Sequence, residues 1–161
     1  MYYGVSFGGT SNGKITNCNF LDTNFGVKMF DFTDVTITNS IFGNNQTYGI
    51  GIYTEYPILD ISYSLFWNNE SGDCWESCPG WGNIWTQFEL EDNLEIIYNN
   101  PLFTDYNNFN FNLNENSPCI NSGNPLLFDA DGSRSDIGAN PFNNNLCSIA
   151  GDLNQDNYIN V

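Results

Sequence analysis

The sequence predicts an all-β solenoid, in which short parallel strands stack in coils of about 22 residues. The first observation is a six-residue segment that begins with Ile and ends with Phe; it occurs at residues 15–20, 37–42 and 61–66, at offsets of 22 and 24 residues. The second is a glycine that precedes alternating apolar residues upstream of each segment, at Gly4, Gly26 and Gly49. The third is two-residue alternation: Val35 and Ile37 are apolar, whereas Thr36 and Thr38 are polar. Alternation of this kind is typical of β-strands.

A unit of this length cannot bury its apolar face alone, so it must stack on copies of itself. In a parallel stack each coil lies about 4.8 Å above the last, and equivalent side chains form columns. Three interior columns are predicted on this basis: Phe20, Phe42 and Phe66; Ile15, Ile37 and Ile61; and Cys18, Ser40 and Ser64.

A later coil is predicted from Leu94, Ile96 and Tyr98, which repeat the pattern of Leu59, Ile61 and Tyr63 at an offset of 35 residues. The excess over one period predicts an inserted loop at residues 70–87, between Glu70 and Gln87. A leucine-rich repeat is the structural rival at this period, but its Leu-spaced consensus is missing from the chain.

The repeat resembles that of the right-handed parallel β-helix proteins of the pectin-lyase-like superfamily. The period supports a solenoid, and the resemblance implies its right-handed sense. The expected fold class is therefore an all-β, right-handed parallel β-helix with a C-terminal cap segment. We assign the coils to residues 1–103 and expect further coils to precede them.

Residues 100–105, 117–123 and 129–139 contain the successive elements NPLF, SPCINSG and DIGA. This order is similar to the C-terminal closing segment of many bacterial secreted β-helix proteins. The resemblance implies a cap, assigned here to residues 104–142 and called the closing segment. A solenoid needs such a cap because its last coil otherwise exposes an apolar cross-section and unpaired strand edges.

Four charged residues of the closing segment, Asp129, Asp131, Arg134 and Asp136, have two interpretations. They form either a catalytic or metal cluster, or a turn in which the arginine pairs with carboxylates. We favour the turn, because arginine forms strong directional hydrogen bonds with carboxylates.

The acidic tail has the ligand spacing of a calcium-binding loop, with oxygen donors at alternate positions. The candidate calcium ligands are Asp152, Asn154, Asp156, Tyr158 through its carbonyl, and Asn160. The pattern is similar to the type I dockerin repeat, with Asn157 in place of the usual glycine. The resemblance implies a cohesin-like partner for a complete tail. We divide the tail into a linker at 143–151 and a truncated dockerin-like loop at 152–161.

Charge excludes several classes of partner. The formal net charge is -16, with 19 acidic residues against 3 lysines and arginines. Because nucleic acids and anionic membranes need a basic surface, neither is an expected partner. The chain has no apolar run that predicts membrane insertion. We expect a secreted, extracellular or cell-surface protein whose signal peptide lies upstream.

The cysteines have two possible roles, a zinc site or disulfides. Because the chain has no histidine and lacks the cysteine spacing of zinc sites, disulfides are the better interpretation. The five cysteines are an odd number, which leaves one thiol over. The disulfide candidates are Cys74, Cys78, Cys119 and Cys147.

A glycan-binding role has one concrete candidate, because all 4 tryptophans lie in or beside the predicted insert. They are Trp67, Trp75, Trp81 and Trp85. Aromatic faces stack on sugar rings, so the insert is either a polysaccharide-binding platform or a disulfide-stapled flap over the solenoid.

Related lyases use an Arg or Lys base beside calcium-binding carboxylates, but the only bases here are Lys14, Lys28 and Arg134. We expect Lys14 in a turn and Lys28 in a strand, near Asp31 or Asp34. The favoured function is a non-catalytic extracellular module, in cell-surface adhesion or ancillary glycan binding. The alternative is part of a polysaccharide lyase or glycoside hydrolase whose catalytic coils lie outside this chain.

Calcium binding by the tail is testable because position 12 of the loop, which normally supplies a bidentate carboxylate, is residue 163. We expect little calcium binding by the 161-residue chain and a clear gain when it is extended through an Asp or Glu at 163. Calorimetry on both forms measures this difference. Equal affinity in the two forms, or none in either, would contradict the dockerin-like interpretation.

Overall fold

The computed structural model of the protein describes residues 2–54, 57–77, 85–86 and 95–142, with backbone only for 75–77 and 85–86. The first three coils contain strands β1 (Tyr3–Phe7), β2 (Asn12–Thr16), β3 (Asn19–Leu21), β4 (Phe25–Met29), β5 (Asp34–Thr38), β6 (Ile41–Gly43), β7 (Tyr48–Ile52), β8 (Ile58–Ser62) and β9 (Leu65–Trp67). The fourth coil contains β10 (Gly72–Ser77), β11 (Trp85–Thr86) and β12 (Ile97–Tyr98). Strands β13 (Phe103–Asp105) and β14 (Asn110–Leu113) follow, with a 3-10 helix at Tyr106–Asn108 between them.

The strands of successive coils pair in parallel and form three sheets. Sheet A has the order β1-β4-β7-β10-β11, sheet B the order β2-β5-β8, and sheet C the order β3-β6-β9-β12. Among the described strands of these sheets, only β11 is antiparallel to its neighbour. The predicted parallel β-solenoid is confirmed.

The interior columns are also confirmed. The rings of Phe20, Phe42 and Phe66 stack with centroid separations of 5.1 and 5.0 Å. Ile37 pairs in register with Ile15 below and Ile61 above. In the column of small residues, the Ser40 hydroxyl accepts a hydrogen bond from the Cys18 amide at 3.3 Å. The Ser64 hydroxyl accepts one from the Ser40 amide in the same way.

The fourth coil differs from the prediction in two places. Strand β10 lies inside the predicted insert and pairs with β7, with Cys74 opposite Ile50. Cys74 is the single buried apolar residue in the described part of β10. A cysteine predicts a strand less strongly than the β-branched residues Val27 and Ile50, which are buried in β4 and β7. In β12, Tyr98 pairs with Phe66 and not with Tyr63. The offset to the third coil is therefore 32 residues, because Tyr98 continues the phenylalanine column and its ring stacks on Phe66.

The closing segment lies along the side of the solenoid, whereas the sequence analysis placed it over the last coil. Ile41 and Leu65 are on the outer face of sheet C, and both are fully buried. They pack against three residues of the closing segment: Leu113, Cys119 and Ile137. Contacts also reach the first coil, where the Asn19 side chain accepts a hydrogen bond from the Ala139 amide at 3.0 Å. The segment thus clamps the first three coils together.

Asn39 is the polar centre of this contact and is fully buried. Its side-chain nitrogen donates to the Ser135 hydroxyl at 2.9 Å, and its side-chain oxygen accepts from the Asn124 amide at 2.7 Å. Its carbonyl oxygen accepts from the Gly138 amide. The residue has a φ of 52°, a left-handed conformation that asparagine tolerates better than most residues. A turn residue of the second coil therefore organises the closing segment.

The Arg134 side chain donates hydrogen bonds to carbonyl oxygens of the closing segment. The prediction that it pairs with carboxylates is wrong for the described residues. Its Nε donates to the Gly123 carbonyl at 2.6 Å, and its guanidinium lies 5.7 Å from the centre of the Tyr63 ring. The carboxylates bind backbone amides instead: Asp136 accepts from Asn121, and Asp129 accepts from Asp136. These residues fix turns of the closing segment.

The substitution Phe42→Ala should lower the free energy of unfolding by about 3 to 5 kcal/mol, because it removes a fully buried ring from the centre of the phenylalanine column. Chemical denaturation measures the change. The control is Phe128→Ala, at a side chain that is 68% exposed, which should change stability by less than about 0.5 kcal/mol. Similar effects of the two substitutions would contradict the stacked core.

Asn39→Ala should destabilise the protein by about 1 to 3 kcal/mol more than Asn17→Ala, because it leaves buried polar groups of the closing segment unsatisfied. Asn17 is the matched control: it occupies the same turn in the first coil with the same φ of 52°, but it is exposed. The free-energy cost of placing alanine in a left-handed backbone conformation is therefore similar in the two variants and cancels in the comparison. Equal loss of stability in the two variants would rule out the clamp.

Candidate ligand-binding surface

Four aromatic rings cover part of the outer side of sheet A. Tyr3, Phe25 and Tyr48 occupy equivalent register positions in β1, β4 and β7. The Phe25 ring centre lies 6.0 Å from that of Tyr3 and 6.0 Å from that of Tyr48. Tyr53 follows β7 and packs edge-on against Phe25 at 5.7 Å. These four residues are called the aromatic surface.

Lys28 lies in β4 within the aromatic surface. Its neighbours Val27 and Met29 are fully buried in the core, so alternation directs Lys28 outward. Its amine donates a hydrogen bond to the Tyr3 hydroxyl at 3.0 Å. The amine also lies 4.5 Å from the Tyr3 ring centre and 4.2 Å from that of Tyr53, which is cation–π geometry. The described contacts of this amine are therefore aromatic, and not with Asp31 or Asp34 as expected.

Tyr53 keeps a neutral hydroxyl at this surface. Burial, together with the neighbouring Tyr3 and Tyr48, raises the pKa of Tyr53 to about 12. The hydroxyl therefore stays protonated at neutral pH and can both donate and accept a hydrogen bond.

A polar groove lies at the turns that connect sheets C and A, and one of its residues, Gln46, is two positions before Tyr48 of the aromatic surface. Asp22, Asn44 and Asn68 occupy equivalent turn positions with left-handed φ values of 57°, 54° and 50°. The Asn68 side chain donates to that of Asn44 at 2.9 Å, and Asn44 in turn donates to the Asp22 carboxylate. The chain of side-chain hydrogen bonds therefore runs across three coils.

The groove has a volume of about 360 Å³ and is lined by polar and acidic side chains, namely Asp22, Asn44, Asn45, Gln46, Asn68 and Glu70. Asn45 is buried behind it and accepts hydrogen bonds from the amide and hydroxyl of Thr23. Asn69 accepts from the Asn45 side chain at 2.8 Å. This second ladder holds the turns beneath the groove in place.

Two aromatic residues stand beside the groove. The Tyr106 hydroxyl donates to the Asp22 carboxylate at 2.7 Å. Burial, with a smaller effect of Asp22, raises the pKa of Tyr106, so this hydroxyl remains a donor. Trp67 packs edge-on against Tyr106 with 5.4 Å between ring centres. Gly43 makes room for the indole, because a side chain there would meet both Leu21 and Trp67.

The structure separates the predicted tryptophan sites. Trp67 lies at the end of β9 and is half-buried beside Tyr106, not in an inserted loop. Trp75 lies in β10 in register with Gly51, which itself pairs with Lys28, so its backbone continues the row that contains Lys28. Trp85 lies in β11 opposite Ser77. Trp81 lies outside the described residues.

The described cysteines are buried in different places. Cys74 belongs to the main core and Cys119 to the core beneath the closing segment. Burial, and to a smaller extent Asp73, raises the pKa of the Cys74 thiol, and burial raises that of Cys119 to about 12. Cys78 and Cys147 lie outside the described residues, so the disulfide candidates stay a prediction.

The predicted calcium ligands Asp152, Asn154, Asp156, Tyr158 and Asn160 also lie outside the described residues. Within the described part of the chain, no group of three or more Cys, Asp or Glu side chains is arranged to hold a metal ion. No helix among those residues has the length and apolar character required to cross a membrane. Lys14 lies in strand β2 and not in the turn that was expected.

Three parallel sheets wound through successive coils define the chain as a parallel β-solenoid. The family described as "Right handed beta helix region" matches residues 1–94, more than half of the chain, and the chain belongs to this family. Comparison with curated proteins and with solved structures gave no match.

Neither the aromatic surface nor the groove was predicted from the sequence. The signal for the aromatic surface is an aromatic residue before each repeat glycine, in the pairs Tyr3-Gly4, Phe25-Gly26 and Tyr48-Gly49. In the groove, Asp22 is the first-coil equivalent of Asn44, and the Asn24 side chain donates a hydrogen bond to Gln46. The repeat in the sequence does not by itself give this register at the turns.

Proposed function

We propose that the chain is a non-catalytic glycan-binding module of an extracellular or cell-surface protein. The observation that carries this proposal is the aromatic surface, in which Tyr3 and Tyr53 flank the Lys28 amine and both rings pack against Phe25. Aromatic faces provide apolar contact for the C–H face of a sugar ring. Hydroxyl, amine and amide groups around them can bind the sugar hydroxyls.

The tyrosine rings are held in place by the buried Phe25 ring, so they lose little conformational freedom when a ligand binds. Phe25 is 4% exposed and contacts Tyr3, Tyr48 and Tyr53, so it fixes their relative positions. The three tyrosines are half-buried and border solvent with part of their surface. A buried phenylalanine that holds partly exposed tyrosines in place is an arrangement suited to an amphipathic ligand.

The backbone of Trp75 lies in sheet A, the sheet that carries the aromatic surface. Trp75 follows Lys28 and Gly51 in one register row across this sheet. We include Trp75, Trp81 and Trp85 among the residues of the proposed polysaccharide-binding site. Trp67 belongs to the groove instead, because it packs beside Tyr106.

The acidic tail adds a second proposed role. The ligand spacing from Asp152 to Asn160 favours calcium, and its dockerin-like pattern favours a cohesin-like partner for the complete repeat. A module of this kind carries a glycan-binding surface on one part of the chain and an anchoring element on another.

Tyr53→Ala should weaken glycan binding about tenfold, equivalent to about 1.4 kcal/mol, because it removes a ring that faces Lys28 and Phe25. The measurement is calorimetry with the 161-residue chain and soluble β-glucan, xylan, mannan and polygalacturonate. Trp75→Ala should reduce affinity for the same polysaccharide.

Phe128→Ala is the matched control, since Phe128 is an exposed aromatic residue in the closing segment and away from sheet A. Its affinity should equal that of the unmodified chain. Circular dichroism should show that all variants keep the β-structure. Absence of binding to all four polysaccharides, or equal affinity of Tyr53→Ala and Phe128→Ala, would overturn the proposal.

A further inference from the structure

We propose that the polar groove is a subsite for a neutral, hydroxyl-rich sugar and that it discriminates against acidic sugars. The inference rests on the proposed glycan-binding function and specifies the class of ligand. Its basis is the groove of about 360 Å³ at the turns of three successive coils, a volume within the usual size range of small-molecule sites. The aromatic surface supplies contact area, whereas the groove supplies hydrogen bonds.

The groove presents both kinds of hydrogen-bonding group that a sugar hydroxyl can use. The carboxylates of Asp22 and Glu70 accept hydrogen bonds, and a carboxylate has about four acceptor positions. The side-chain amides of Asn44, Gln46 and Asn68 can each donate and accept. Each hydroxyl of a sugar is itself a donor and an acceptor, so a neutral sugar matches this lining.

Asp22 is held in position before any ligand arrives. Asn44 and the Tyr106 hydroxyl both donate to the same carboxylate oxygen, Oδ1. Tyr106 is in turn packed between Trp67 at 5.4 Å and Phe103 at 6.1 Å. Little conformational freedom is therefore lost when a ligand binds, which favours affinity.

Charge determines which sugars the groove accepts. Among the described residues, its lining contains two carboxylates and neither lysine nor arginine, and the whole chain has a net charge of -16. A uronate carboxylate placed about 4 Å from Asp22 or Glu70 meets a repulsion of about 1 kcal/mol in water and more near a protein surface. Neutral sugars avoid this repulsion, and their hydroxyls can donate charge-assisted hydrogen bonds to the two carboxylates.

The position of the groove links it to the aromatic surface. Gln46, in the groove lining, lies two residues before Tyr48 in the same coil. The Asn24 side chain donates to Gln46 at 3.1 Å and directly precedes Phe25. An oligosaccharide that rests on the aromatic surface can therefore extend into the groove.

The test compares glucose, xylose, mannose and galactose oligosaccharides of six units with hexagalacturonate, by calorimetry on the full chain. At least one neutral hexasaccharide should bind at least tenfold more tightly than hexagalacturonate. Asp22→Asn and Glu70→Gln, which keep side-chain size, should each weaken that binding about fivefold. The matched control is Asp60→Asn, which removes an exposed carboxylate from strand β8 of sheet B and should leave affinity unchanged.

The outcomes separate this inference from the proposed function. If Tyr53→Ala lowers affinity but the groove variants behave like Asp60→Asn, the groove is not a subsite and the aromatic surface alone binds glycan. Equal or tighter binding of hexagalacturonate overturns the assignment of the ligand as neutral. If none of the five oligosaccharides and none of the four polysaccharides binds, both proposals fail together.

Discussion

Equivalent side chains must lie directly above one another in successive coils, because no single coil can bury its own interior. The stack of Phe20, Phe42 and Phe66, with about 5 Å between ring centres, satisfies this constraint in the core. The same spacing lets the side chains of Asp22, Asn44 and Asn68 hydrogen-bond from coil to coil. The aromatic row on sheet A arises in the same way. Both proposed ligand-binding surfaces are therefore consequences of the stacking that forms the core.

The closing segment packs where the strands of sheet C place apolar residues on their outer face as well as their inner face. Strands β6 and β9 each contain two adjacent apolar residues, Ile41-Phe42 and Leu65-Phe66, so both faces of sheet C need cover. The interior covers the phenylalanines, and the closing segment covers Ile41 and Leu65. In the first coil the outer residue is Asn19, which receives a hydrogen bond from Ala139 instead. The segment that extends to Tyr106 in this way also places a donor against Asp22 and so completes the groove.

Periodicity was sufficient to predict the repeating strands and interior columns of the first three coils, because a repeated core position requires a similar residue in each coil. It was insufficient for β12, where matching Tyr98 to Tyr63 gave the wrong register and stacking on Phe66 decided the pairing. It was also insufficient for the closing segment, because its position depends on contacts about 100 residues apart, such as Asn39 with Ser135. The aromatic surface was predictable in principle from Tyr3, Phe25 and Tyr48. The groove required the correct turn register, which only the coordinates supply.

The central claim is that one continuous surface, made of the aromatic surface and the groove, binds a neutral glycan. NMR titration of the 161-residue chain with a mixture of neutral hexasaccharides tests it most directly, because side-chain resonances report each face separately. The account predicts shifts in the ring signals of Tyr48 and Tyr53 and in the side-chain amides of Asn44 and Gln46. The Phe128 ring and the buried Asn39 amide should not shift. Shifts confined to Phe128 or Asn39, or no shifts at saturating sugar, would contradict it.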